Sequence, residues 1–381
     1  MAKHAYLSAS ASHRWLLCPP SAKLCAEEPD YGSEYAMQGT CAHELAQYLL
    51  EKALGRPCQD PTDSLSYYDG EMQDAAEGYR DFVLEQIAEA KKTCRDPLVC
   101  VEQTLDFSKW VEHGFGTGDC VIVADGTLHI IDLKYGIGVL VQAEENSQLM
   151  CYALGALDTF GDLYEIRRVK MSIYQPRRDN VDTWETGVDE LLKWAEEVLK
   201  PAAKLAYAGD GEFHAGAHCV FCKVKASCRK RAEYALELAR DELKEPAKLT
   251  PAEISELLPR VETLVSWADD LKAFALKQAL KGVTYPGYKL AEGRSTRRFR
   301  NEPTVAAIVA EAGYDPYEKK LRGITALTRQ LGRKKFEELL SDYVVKPPGK
   351  PVLVPESDKR PAWNAAAEDF KDYELEDLEN A

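Results

Sequence analysis

The segment from residue 116 to residue 134 limits the possible folds more than any other part of the chain. It reads Gly116-Thr117-Gly118-Asp119, an apolar run to Ala124, the dipeptide Asp125-Gly126, and then Thr127-Leu128-His129-Ile130-Ile131-Asp132-Leu133-Lys134. Asp-Gly between two apolar runs is a strong hairpin signal, because both residues tolerate positive φ. The pattern predicts strands over 119–124 and 127–134, preceded by a strand over 98–105. Asp119 opens one hairpin strand. Asp132 and Lys134 are two apart and share one face of the other. A charged pair inside an apolar strand is costly unless it is paired or binds a metal.

The flanks are helical. An opening helix is expected around 10–25, redirected by Pro19-Pro20, then helices over 35–54 (closed by Gly55) and 70–92. A helix over 144–159 and a strand over 168–174 follow, and after Val188 the chain reads as helical, including a long amphipathic stretch over 251–280. Two shorter helices are expected over 303–312 and 325–340. The fold class is therefore α/β, a mixed sheet flanked by helices, with a helical C-terminal region. The expected domains are 1–245, 246–345 (locally basic) and 346–381, the last a Pro/Gly-rich linker with an acidic tail.

No run approaches the roughly 18–20 apolar residues of a membrane span, and the N-terminus lacks a secretory apolar stretch, so a cytoplasmic protein with no membrane contact is expected. In that reducing setting the 11 cysteines point to metal binding or burial rather than disulfides. The net charge of −15 does not favour nucleic acid, but basic clusters at 167–178, 223–231, 289–300 and 319–335 break the acidic background.

Two carboxylates beside a lysine suit phosphodiester hydrolysis. The acids hold hard Mg²⁺ or Mn²⁺ ions, the metal activates water, and the lysine orients it and offsets charge. The bland alternative is an Asp132–Lys134 salt bridge with Asp119 as a turn residue. The order of motifs favours the chemistry: Gly-x-x-Asp, then Asp-x-Lys across a hairpin, then Gln148-x-x-x-Tyr152 on a helix, with Gly39-Thr40-Cys41-Ala42-His43-Glu44 upstream. This set resembles the RecB-like branch of the PD-(D/E)xK nucleases. The resemblance implies a restriction-endonuclease-like fold and a DNA nuclease, with His43, Asp119, Asp132 and the Leu133 backbone carbonyl as Mg²⁺ or Mn²⁺ ligands. It makes Asp119, Asp132, Lys134, Gln148 and Tyr152 the catalytic set, Gln148 and Tyr152 contacting DNA or supporting the lysine. Glu102 and Glu44 are secondary candidates.

Cys219-x2-Cys222-x5-Cys228 supplies three close thiolates, which suit zinc or an iron–sulfur cluster and need a fourth ligand. His214, His218, Cys18, Cys25 and Cys41 are available. The context Trp15-Leu16-Leu17-Cys18-Pro19 resembles the N-terminal segment of iron–sulfur RecB-like nucleases, including the CRISPR-associated and AddB types. That resemblance implies a structural [4Fe–4S] cluster on Cys18, Cys219, Cys222 and Cys228, with Zn²⁺ as the alternative.

No G-x-x-x-x-G-K-[ST] phosphate loop is present, so no motor is expected in the chain. The C-terminal third resembles that of phage- and prophage-encoded proteins with this nuclease core. The expected activity is an exonuclease or end-processing nuclease in phage recombination or replication, with DNA and a phage single-strand-binding or annealing protein as partners. The alternative is a non-enzymatic DNA-binding or assembly module. Arg294, Arg297, Arg298 and Arg300 are available for phosphate, and Tyr288 and Phe299 for base stacking.

Overall fold

The computed structural model describes residues 5–29, 32–239, 250–291, 301–317, 322–324, 327, 331 and 333–345. Its centre is a five-stranded mixed sheet in the order β1 (Leu98–Asp106), β2 (Phe115–Ala124), β3 (Gly126–Leu133), β4 (Ile166–Gln175) and β5 (Asn180–Gly187). β1, β2 and β3 form an antiparallel meander, β3 and β4 pair in parallel, and β5 closes the edge antiparallel to β4. The two-residue turn links Ala124 to its partner Thr127, and Gly126 takes a φ of 79°, which favours glycine there. Asp119 lies in the middle of β2 rather than opening it, because the strand starts at Phe115.

Helices cover both faces. On one side pack α3 (Glu34–Ala53) and α4 (Gly70–Ala90), burying Leu45, Leu50, Met72, Tyr79 and Val83 against Ile122 and Ile131. On the other lie α5 (Ser147–Phe160) and a continuous helical run. That run comprises α6 (Val188–Trp194), a π turn at Ala195–Leu199 and α7 (Lys200–Ala208). The short N-terminal helices α1 (Ser12–Leu17) and α2 (Ser21–Glu27) join this second layer. They are two helices rather than one because Pro19 and Pro20 interrupt the pattern. Trp15 is fully buried and donates from Nε1 to the Ser8 carbonyl at 3.1 Å, and Ser12 Oγ meets Ser147 Oγ at 2.7 Å at the start of α5.

Caps explain several boundaries. Ser33 and Asp69 accept from the third amides of α3 and α4, and Asn146 accepts from both Gln148 and Leu149, so α5 starts at Ser147 rather than 144. β5 has no counterpart among the expected elements. It is an edge strand of mostly polar, half-exposed residues, which hides the apolar period.

Past the sheet, α8 (Arg229–Ala239) packs against α9 (Pro251–Leu280). Asp270 of α9 binds Arg231 at 2.7 Å and Lys225 at 3.0 Å. These contacts place α9 with the first of two compact units, 1–294, the second being 295–381. The expected boundary at 245/246 therefore falls inside the first unit. In the second, the described helices are α10 (Glu302–Glu311) and α11 (Arg333–Leu340). Arg294, Arg297, Arg298, Phe299 and Arg300 and the region 346–381 lie outside the described residues, while Tyr288 is exposed. Among the described residues no helix is long and apolar enough to cross a membrane.

A polar relay crosses the sheet inside one apolar layer. His129 meets Ser172 Oγ at 2.8 Å, and Ser172 meets Thr183 at 2.8 Å. Burial, with Lys170 adding to it, depresses the His129 imidazole to about 3. Its folded pKa thus lies below the unfolded value, so stability should be intact above pH ~6.5 and fall by about 1.4 kcal/mol per pH unit toward about 3. Denaturant midpoints of wild type and His129→Gln between pH 7 and 4 check this. The expected result is a shallower acid slope in the variant; equal slopes would refute the assignment.

Candidate metal centre

Side chains alternate across a strand, so residues two apart share a face. β1 breaks this rule. Leu98 and Cys100 pack toward α5, and Val99 and Val101 toward α3 and α4, yet Leu105 returns to the α5 side. The inversion has a visible cause: Glu102 adopts a φ of 49° in the middle of the strand. On β2 the matching rung is Asp119. The ladder pairs Val101 with Cys120 and Gln103 with Gly118, leaving Glu102 and Asp119 out of the paired register. A left-handed non-glycine residue inside a strand costs about 1–3 kcal/mol and tends to occur where function requires it.

The inverted rung gathers three metal-ligating groups. His43 of α3, Glu102 of β1 and Asp119 of β2 bring ligand atoms within 4.8 Å of one another. His43 Nδ1 lies 3.2 Å from Asp119 Oδ1, and the other Asp119 oxygen accepts the Leu133 amide at 2.7 Å. Burial opposes charge on His43, but the Asp119 carboxylate outweighs it and raises the imidazole to about 9. Although buried, Asp119 is held below its ordinary range by His43, the Leu133 amide and Lys134. Burial and the neighbouring Asp119 push Glu102 up to about 7. An acid that resists ionising beside a second acid is what a cation would relieve.

Asp132 and Lys134 face α5 beside this group. Lys134 Nζ is 2.9 Å from Asp132 Oδ2, yet that buried oxygen has no hydrogen-bond partner, so the ion pair is misaligned as a hydrogen bond. Burial raises the Asp132 pKa in spite of Lys134. Gln148 bridges the pair: its Oε1 accepts from Lys134 Nζ at 2.8 Å, and its Nε2 donates to Asp132 Oδ1 at 2.9 Å and to Tyr152 Oη at 3.2 Å. The Asn146 cap fixes where Gln148 starts its helix. Gly116 lets Tyr152 approach, since a Cβ there would come to 2.7 Å of the ring.

All of the expected residues except Glu44 meet at this place. Glu44 is exposed and lines a separate groove with Tyr48, Glu51 and Arg56, because one residue along a helix turns the side chain by about 100°. Glu102, secondary in the sequence reading, is a member of the compact triad.

The cysteines form a second constellation. Cys18, Cys219, Cys222 and Cys228 line one small cavity, together with Arg14, His214, His218, Lys225 and Arg231. His218 Nε2 is engaged by the His214 carbonyl at 3.0 Å. Cys25 stands outside this lining, its Sγ 3.7 Å from Cys222 Sγ and accepting the Lys223 amide at 3.4 Å. The contact between the two thiols holds Cys25 down at about 6 and, with burial, pushes Cys222 up. Cys94, Cys120 and Cys151 are buried in the core, and Cys100 is partly so.

The fold and site define a mixed α/β protein with a His/acid triad between α3 and its sheet, and with a separate cysteine-lined cavity. Residues 4–361 match the family described as "Protein of unknown function (DUF2800)", and the chain belongs to that family. A solved structure titled "Crystal structure of SSO0001" is 13% identical, the match covering 49% of this chain and 95% of that one. Its TM-score of 0.22 leaves that likeness without weight here.

The strain at Glu102 yields a test. Glu102→Gly should stabilise the fold by about 1 kcal/mol, since glycine adopts positive φ freely. If the triad holds Mn²⁺, the same change should weaken that binding at least about 10-fold, since Glu102 is one of its three candidate ligands. Thermal melts and titration calorimetry read the two effects, and loss of stability or unchanged affinity would contradict this account.

Proposed function

We propose that this protein is a metal-dependent DNA nuclease of the RecB-like PD-(D/E)xK kind. The observation that carries the reading is the convergence of His43, Glu102 and Asp119 beside the buried Asp132–Lys134 ion pair. The donors are one imidazole and carboxylate oxygens, a set suited to Mg²⁺ or Mn²⁺. A bound ion would lower the pKa of water and offset charge on the phosphate. The residues do the rest. His43, Asp119, Asp132 and the Leu133 carbonyl, the set that the resemblance implies, would hold the ion together with Glu102. The Leu133 amide fixes the rotamer of Asp119. Lys134 is positioned to orient the attacking water, and Gln148 keeps its ammonium over Asp132. Tyr152 in turn fixes Gln148.

The same reading assigns Cys18, Cys219, Cys222 and Cys228 to an iron–sulfur cluster, supported by their common cavity. The cluster would tie α1 to the segment before α8. The wider assignment is end-processing of DNA in phage recombination or replication, alongside a single-strand-binding or annealing protein.

Two measurements test this reading. With Mn²⁺, wild type should degrade labelled linear DNA and spare closed circles, while Asp132→Ala and Lys134→Ala each lose at least about 100-fold in rate. Absence of cleavage by wild type, or equal cleavage by the variants, would leave a binding module as the better description. For the cluster, anaerobic protein should be brown and contain iron, Cys18→Ser should lose it, and Cys25→Ser should keep it. Colourless protein with stoichiometric zinc overturns the cluster assignment.

A further inference from the structure

Helix α9 is 30 residues long, about 45 Å at 1.5 Å per residue. It has two apolar faces. The first, with Leu257, Leu264, Trp267 and Phe274, is half-buried, and Asp270 on the same side holds Arg231 and Lys225. The second carries Ile254, Leu258, Val261, Val265, Leu276 and Leu280, from 42% exposed at Leu258 to 71% at Leu280. Their spacing follows the helical repeat, so they form one stripe on the side away from α8. A stripe of this length, broken only near its centre, marks an interaction surface.

The order of residues along α9 identifies what fits it. Ile254 and Leu280 lie equally far on either side of Trp267, and so do Leu258 and Leu276. One charged pair obeys the same symmetry with opposite sign: Glu262 mirrors Lys272. A second α9 laid antiparallel about a two-fold axis at the level of Trp267 would therefore set Leu258 on Leu276, Ile254 on Leu280 and Glu262 on Lys272, with Val261 on Ala273 and Val265 beside Asp269. Asp269 and Lys272 interrupt the stripe near its centre, and the same axis sets Lys272 against Glu262. Self-complementarity of this kind is the requirement for an isologous dimer, in which residue i meets j and j meets i.

We propose that α9 is a dimerisation helix, pairing antiparallel with α9 of a second copy of this chain. The proposal is independent of the nuclease reading, because it uses none of the metal-centre or cysteine residues. Sedimentation velocity of the full chain over a concentration series tests it. Wild type should be a dimer that dissociates on dilution. Leu276→Glu should be monomeric and melt where wild type diluted to the monomer melts, since the side chain it replaces is exposed in the single chain. Glu262→Lys and Lys272→Glu should each weaken dimerisation at least about 10-fold, because each creates two like-charge contacts across the axis. The double variant Glu262→Lys/Lys272→Glu should return to within about 3-fold of wild type, since it exchanges the two signs. A monomeric wild type overturns the proposal, and protection of 254–265 from deuterium exchange in such a monomer would assign the stripe to an occupant within the same chain. A dimer unaffected by Leu276→Glu, or a double variant weaker than either single one, overturns it equally.

Discussion

The site depends on one irregular rung of the sheet. Glu102 and Asp119 face each other across β1 and β2, but neither takes part in the paired register, and the positive φ of Glu102 inverts the alternation on its strand. Regular pleating would send Leu105 to the layer that holds Val99, away from the cluster it joins. The inversion instead completes the α5 layer with Leu105 and turns an acid toward His43. The strain of about 1–3 kcal/mol at Glu102 is comparable to burying one leucine, roughly 1.5–3 kcal/mol. The packing of Leu105 is therefore large enough to hold the irregular rung in place without any ion.

Helix α5 sets the other half of the geometry. Its N-cap Asn146 fixes the first turn, Gln148 in that turn bridges Asp132 and Lys134, and Tyr152 one turn later braces Gln148 over a glycine. The result is a lysine held by an amide as well as by an acid. An ion pair alone would leave two long side chains free to rotate and exchange with water. The planar amide, caught at both ends, removes that freedom.

Much of this was legible in the residues. The Asp125-Gly126 turn and the apolar runs around it define the hairpin, and the period of two places Asp132 and Lys134 on one face. His43 could be placed only through its motif, since a histidine on a helix says little by itself. Glu102 was underrated because strand periodicity assumes uniform φ, and a single left-handed residue violates that assumption without leaving a sequence mark. Glu44 was attractive for being acidic and next to His43, yet adjacency along a helix separates side chains instead of joining them. β5 escaped notice because an edge strand needs only a weak apolar pattern. The contact of Cys25 with Cys222 was equally hidden, since it is made by the return of the chain across 197 residues.

That long return has a consequence for how the molecule is made. Trp15 and Cys18 belong to a layer whose other members include Ala206 and Cys219, so the first helices emerge from the ribosome long before their partners exist. At roughly 5–20 residues per second, a separation of 197 residues corresponds to about 10–40 seconds of synthesis. During that interval the indole of Trp15 and the early thiols remain outside their final packing. The N-terminal segment is thus the first part of the chain to be translated, yet it reaches its final packing only after residues 206–219 have been made.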